Sequence, residues 1–140
     1  MTSLVVGTLV GNEILTNSVR TSTHGIYQGI LDILGSKADY KFKNLIEEQD
    51  VYSKIKVIHQ FLDTLTNSKK TKYQTAINNI EESLKLIEKE IEIIKTGIEE
   101  HEEKYLKYFR VCEYKKNVDN LVKYVKILDS RFDLLIKIMN

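Results

Sequence analysis

Three histidines, one cysteine and an acidic run followed by a basic one are the residues of this 140-residue chain whose types admit chemistry. Their spacing supplies little of it. A di-iron bundle needs a glutamate three positions before an inward histidine; the residues at that offset from His24, His59 and His101 are Thr21, Lys56 and Ile98. Zinc asks for clustered Cys and His ligands, whereas Cys112 stands alone and the histidines are scattered. There is no GxGxxG, and no glycine precedes a lysine, which excludes a P-loop. Arg110 and Lys115 near Cys112 would favour a thiolate, but no histidine lies close in sequence, and an inert, partly buried thiol is the simpler reading. No catalytic residue, metal ligand, cofactor or small-molecule substrate is assigned on this basis.

Two features retain binding chemistry. Residues 104–126 are basic and rich in Tyr, and Tyr105-Leu-Lys-Tyr-Phe-Arg-Val-Cys-Glu-Tyr-Lys-Lys116 interleaves aromatics with bases. Phosphate contacts and base stacking use that mixture, which makes Arg110, Lys115 and Lys116 the candidate nucleic-acid contacts. Yet Tyr105 and Tyr108 also continue an apolar stripe, where they would sit in the core with their hydroxyls at its rim. His101 falls on the same stripe, inside Glu99-Glu100-His101-Glu102-Glu103. A pH-sensitive seam is one reading of it; a polar register-setter near the helix end is the simpler one.

That stripe is the strongest element signal in the chain. From Ile77 the apolar residues follow at 3-4-3-4 spacing through Ile80, Leu84, Ile87, Ile91, Ile94 and Ile98, then His101, Tyr105 and Tyr108. Val118, Leu121, Val125, Leu128, Phe132, Leu135 and Met139 repeat the pattern. Such stripes leave water by packing on another helix. The first predicts a helix over about residues 71–108 and the second one from near Asn117 to Ile138, with a register break at Arg110–Lys116. Ile at both a and d positions, with Leu86 and Ile93 apolar at c, argues for two neighbouring helices and a bundle. The positions Ile77 to Ile98 are the expected helix–helix interface.

Upstream, a helix of residues 40–66 is expected, capped by Asp39 and carrying Val51, Ile55, Ile58, Leu62 and Leu65 inward. Asp50 offers a second start, which would split it in two. Thr66-Asn67-Ser68-Lys69-Lys70 reads as a polar turn.

Residues 2–34 differ from the rest. Gly7-Thr-Leu-Val-Gly11 and Gly25-Ile-Tyr-Gln-Gly29 are GxxxG patterns eighteen residues apart, five turns at about 3.6 residues each, so the four glycines share one face. A small-residue face admits a second backbone closely. Tight packing within the protein is the preferred reading, and peripheral membrane association through this helix the alternative. Gly35-Ser36 would end the helix with a glycine cap.

Proline is absent and glycine numbers six, which suits long helices and not a turn-rich β fold. The net charge of +1 creates no global field for nucleic acid. Glu81–Glu103 holds nine Glu against three Lys, and Lys104–Lys126 seven Lys or Arg against Glu113 and Asp119. Antiparallel pairing of the two helices would bring these opposite charges near each other. One cysteine, no Asn-x-Ser/Thr sequon, no basic signal-peptide start and an apolar run that stops at Asn12-Glu13 point to an intracellular protein.

At residues 101–138 the order His101-Glu-Glu-Lys-Tyr, Tyr108-Phe-Arg110, Tyr114-Lys-Lys116 and Ile127-Leu-Asp-Ser-Arg-Phe-Asp-Leu-Leu-Ile136 resembles uncharacterised helical proteins of giant DNA viruses related to mimivirus. Asp50-Val-Tyr-Ser-Lys-Ile-Lys-Val-Ile58 extends the likeness, and the Lys, Ile and Asn content is similar to that of such AT-rich coding. The resemblance implies a viral origin, in a host cell or virion, and brings no activity with it.

The expectation is a single all-α domain over residues 1–140. Residues 1–35 form a Gly-faced N-terminal helix, and residues 40–140 form an antiparallel up-down bundle core of about four helices with a long coiled-coil-like hairpin. A non-enzymatic structural or protein-interaction role, with itself or another protein, is the leading functional reading. Nucleic-acid or virion-core binding and peripheral membrane association are the alternatives.

Overall fold

The two apolar stripes become two helices laid side by side. The computed structural model describes residues 22–35, 40–105 and 115–140. Residues 22–34 are helical and are termed α1. They are followed by α2 (Tyr40–Glu48), α3 (Val51–Thr64), α4 (Asn67–Lys72), α5 (Gln74–Tyr105) and α6 (Lys115–Met139). No strand occurs among the described residues, and the fold is an all-α bundle. Gly7, Gly11, Asp39 and the Arg110 end of the expected register break lie outside the described residues.

At 32 residues α5 is the longest described helix, spanning about 48 Å at 1.5 Å per residue. Its a and d side chains are closed off from water: Ile80, Leu84, Ile87, Ile91 and Ile94 are at most 1% exposed. Each such side chain contributes about 1.5–3 kcal/mol when fully buried. Opposite them lie Val118, Leu121, Val125, Leu128 and Leu135 of α6, with Phe132 and Met139 partly covered. Asn117 reaches Glu90, whereas Arg131, further along α6, reaches Asn79 and Ser83, earlier on α5. The two helices are therefore antiparallel.

The other two walls follow from a few contacts. Asp32 of α1 pairs with Lys95, and Gly25 and Gly29 stand over Glu88 and Ile91, so α1 runs in the same direction as α5. Lys54 of α3 pairs with Asp129 at 3.0 Å, and further along both helices the Phe61 and Phe132 rings meet edge-on at 5.4 Å. These two helices also share a direction. Tyr27 of α1 lies 4.7 Å, centroid to centroid, from Tyr52 of α3. Directions thus alternate through α1, α3, α5 and α6, while the lateral contacts α1·α5 and α3·α6 join parallel helices.

Local chemistry sets the breaks. Asp50 adopts φ 51, ψ 37, a left-handed geometry that Asp tolerates better than most residues. This separates α2 from α3 where Asp50 had offered a second start. The polar stretch after Leu65 is not the expected turn. The Thr66 hydroxyl accepts the Lys69 amide at 3.2 Å, an N-cap that starts the six-residue α4. Lys69, Lys70 and Lys72 fill its last turn, where cations suit the helix dipole. Tyr73 (φ −107, ψ 25) then interrupts the path into α5, whose Ile77 amide bonds back to the Tyr73 carbonyl at 3.0 Å. α1 stops at Gly35, the expected end of this helix. The Gly35 amide donates to the Leu31 carbonyl at 3.0 Å, and no described glycine has a positive φ.

The apolar c positions do not widen the core. Ile93 is 36% exposed and Leu86 only half-buried. The second and third contacts of α5 lie instead on the two edges of its stripe, at Glu88 and Lys95 (position e) and at Ser83 and Glu90 (position g). Polar residues there escape a search for apolar periodicity.

Candidate functional site

The chain's buried polar groups are concentrated on these two edges of α5. On the α6 side, Glu90 is 7% exposed and accepts hydrogen bonds from the Asn117 side-chain amide at 2.9 Å and that of Asn120 at 3.4 Å. Two turns earlier, Arg131 donates to the Asn79 carbonyl at 2.6 Å and to the fully buried Ser83 hydroxyl at 2.9 Å. Its guanidinium also stands 3.8 Å from Glu82. The Ser83 hydroxyl donates to the Asn79 carbonyl at 3.2 Å, so one carbonyl gathers two donors. Amides and one arginine, and not the lysines of the basic stretch, meet the acidic face of α5 here. Lys115, Lys116, Lys123 and Lys126 are exposed.

On the α1 side the contact is close. A Cβ at Gly29 would collide with Ile91 Cγ2, and one at Gly25 would stand 2.6 Å from Glu88 Oε2. Ile26, Ile30 and Ile33 are buried alongside at 0–2% exposure. Absence of a side chain at two successive turns lets the α1 backbone settle onto α5. Below the glycines, Lys95 and Asp32 pair at 3.0 Å, and Gln28 donates to Asp32 at 3.1 Å. Hydrogen bonds from Lys95 and then Gln28 hold the Asp32 carboxyl below its ordinary value, and the bond to Asp32 raises the Lys95 ammonium.

Three polar atoms here have no hydrogen-bond partner: Glu88 Oε2 under Gly25 and, on the opposite face of α1, Thr23 Oγ1 and Tyr27 Oη. Burial raises the Tyr27 phenol, with Tyr52 adding to it. Burial also raises the Glu88 carboxyl; Glu92 reinforces the rise and Lys85 opposes it. Buried polar groups are normally paired; Glu88 Oε2 is an exception, and beyond the Asp32–Lys95 pair the α1·α5 crossing is held by shape and hydrocarbon.

The candidate interface residues Ile77, Ile80, Leu84, Ile87, Ile91, Ile94 and Ile98 are at most 3% exposed within the single chain. The stripe is covered from inside, and association between copies through it would require opening the bundle. Gly25 and Gly29 lie on the α1·α5 crossing. Lys115 and Lys116 stand side by side in the first turn of α6, while Arg110 and Cys112 lie outside the described residues, as does the side chain of His101. Glu88, Glu90 and Arg131 were missed by motif reasoning. Their only signal is a seven-residue recurrence of non-apolar residues beside the seam.

Among the described residues no three His, Cys, Asp or Glu side chains group so as to hold a metal ion. None of the described helices is long and apolar enough to cross a membrane. His59 faces Asp63 at 3.5 Å on the same helix, with no nucleophile in that contact. Large aliphatic side chains do reach the outside: Leu31, Val57 and Leu134 are each just over half exposed, and Ile138 nearly so. An open groove between α3 and α6 is lined by Ser53, Lys54, Val57, Ile58, Asp129 and Phe132. No family model matches the chain, and neither the curated proteins nor the solved structures provide a match.

Proposed function

We propose that this chain is a non-enzymatic structural or interaction bundle whose work is to hold a protein partner, a second copy of itself first. The observation that supports this reading most is the use made of the polar groups inside the fold. Glu90, Asn117, Asn120, Arg131 and Ser83 are directed at one another across helices and join two walls. A catalytic site needs such groups convergent on a space a substrate can enter. Exposed aliphatic side chains on α1, α3 and α6 supply the apolar contact that protein association uses. The resemblance of residues 101–138 to giant-virus proteins would set the bundle in a host cell or a virion.

Light scattering behind a sizing column tests self-association directly. The expected result is a mass above the 16.3 kDa of one chain, growing with concentration. A strict monomer at about 100 μM, where weak contacts of μM affinity would be filled, removes self-association. Crosslinking in the native source then decides whether a different protein is held.

Nucleic-acid or virion-core binding is the second reading, supported by the adjacent exposure of Lys115 and Lys116 at the start of α6. It demands affinity for DNA or RNA that falls steeply with salt and is lost on replacing Arg110, Lys115 and Lys116. For peripheral membrane association, liposome flotation of the full chain is the corresponding measurement; Ile26, Ile30 and Ile33, the apolar residues such binding would need, are here covered by the bundle.

A further inference from the structure

The α1·α5 wall combines three properties that no other wall of the bundle shares. It is seated through missing side chains, at Gly25 and Gly29. It buries a carboxyl oxygen that nothing bonds, Glu88 Oε2. That group is ionisable, and it lies under Gly25 where a Cβ would otherwise be.

We propose that α1 is a proton-sensitive latch: it seats fully on α5 when the Glu88 carboxyl is neutral, and ionisation of that carboxyl loosens it. Glu88 is only half-buried, but its Oε2 lies under the helix backbone, cut off from water with no donor in place of it. Neutralisation removes that cost, whereas leaving α1 in place above a charged Glu88 incurs it. The direction of the Glu88 shift agrees, being upward with burial as its first cause.

The surroundings leave Glu88 as the group that responds. On its own helix Lys85 and Glu92 act on it, with opposite signs. Lys85 is also bonded to Glu81 at 2.9 Å. On α1, His24 is exposed, Tyr27 is turned to Tyr52 of α3, and Asp32 is tied to Lys95. On α3 and α6, Lys54 and Asp129 pair with each other, and Asn117 and Asn120 bond Glu90 instead.

The sign follows from linkage. With its docked pKa above its free value, Glu88 binds more protons in the docked state through the interval between the two. Docking therefore weakens as pH rises across that interval, and the penalty is complete above the docked pKa. The latch opens upward in pH, opposite to the Asp32–Lys95 pair. That pair loses its contribution when Asp32 is protonated, below the ordinary carboxylate range.

Hydrogen–deuterium exchange of residues 22–34 in the full chain, expressed as protection factors, tests this between about pH 4 and pH 8, which brackets the carboxylate range. In the wild type, protection of α1 relative to the centre of α5 should fall with rising pH, about tenfold per unit of difference between docked and free pKa. In Glu88→Gln the α1 protection should stay at its low-pH level throughout. Parallel pH profiles for the two chains, or α1 protection that rises with pH in the wild type alone, overturn the proposal. Carbon-13 NMR titration of Glu88 in the wild type gives an answer that needs no variant. An upward-shifted midpoint supports the latch, and an ordinary one overturns it.

Discussion

Replacing Gly29 by Ala sets two effects of known sign against each other. In a helix interior Ala is favoured over Gly by about 1 kcal/mol. If α1 merely lay near α5, Gly29→Ala would stabilise the protein by that amount. The structure places Ile91 Cγ2 where the new methyl must go. Ile91 is 1% exposed, so its side chain has no solvent to retreat into. Overpacking of this kind costs about 1–3 kcal/mol, and the net should be destabilisation of up to about 2 kcal/mol once the propensity gain is subtracted. Gly25→Ala is the matched contrast. There the nearest atom, at 2.6 Å, is the end of the Glu88 side chain, which yields more readily than packed hydrocarbon, so the collision should cost less than at Gly29 and cancel only part of the roughly 1 kcal/mol propensity gain. Urea unfolding followed by far-UV circular dichroism measures both. Combining Gly29→Ala with Ile91→Ala completes a double-mutant cycle, because the second change removes the obstructing Cγ2 and leaves Cβ at 3.8 Å. The cycle should return a coupling of about 1–3 kcal/mol in favour of the pair. Gly29→Ala stabilising by the full propensity value, with zero coupling, would show that α1 does not seat on Ile91.

Other substitutions probe the remaining walls. Arg131→Ala should cost about 1–3 kcal/mol in the same assay by stripping donors from the Asn79 carbonyl and the buried Ser83 hydroxyl. Arg131→Lys should restore only part of this, because the shorter lysine does not carry its ammonium to where Nη1 meets both acceptors. Leu84→Ala, at a fully buried seam position, should cost about 2–5 kcal/mol; a loss below the cost of a surface change would refute the seam's place in the core. Asp50→Gly should raise stability by up to about 1 kcal/mol by relieving the left-handed backbone between α2 and α3, and a loss there would point to a side-chain role for Asp50.

The parts of this fold that could be read in the residues are those governed by period. Seven-residue spacing of Ile and Leu marked which face of α5 is dry, and the same spacing in α6 marked its partner. Asp50 stood out because an N-cap type residue interrupts a helical run. Period says nothing, however, about which neighbour covers which edge. Gly25 and Gly29 announced a close approach without naming Glu88 and Ile91 as its target. The buried Glu90 was illegible for a different reason: it is stable in the interior only because Asn117 and Asn120 arrive from α6, a condition no local window contains. Leu86 and Ile93 misled, since apolar type alone does not distinguish a second contact from a residue left outside. Thr66 was legible in principle, because a Thr that can cap is as good a helix start as a turn.

The shared direction of α1 and α5 has a consequence for how the chain reaches this state. The α5·α6 pair joins helices adjacent in the sequence and is free to form early. The berth for Gly25 is Glu88, almost half the chain later. Contacts of such separation carry the larger loop-closure cost and tend to be made late. During synthesis α1 emerges before α5, and although Tyr52 of α3 can meet Tyr27 earlier, the seat for Gly25 and Gly29 exists only once most of α5 has followed. It then docks on a surface the hairpin has already organised, and it should contribute little to the folding transition state.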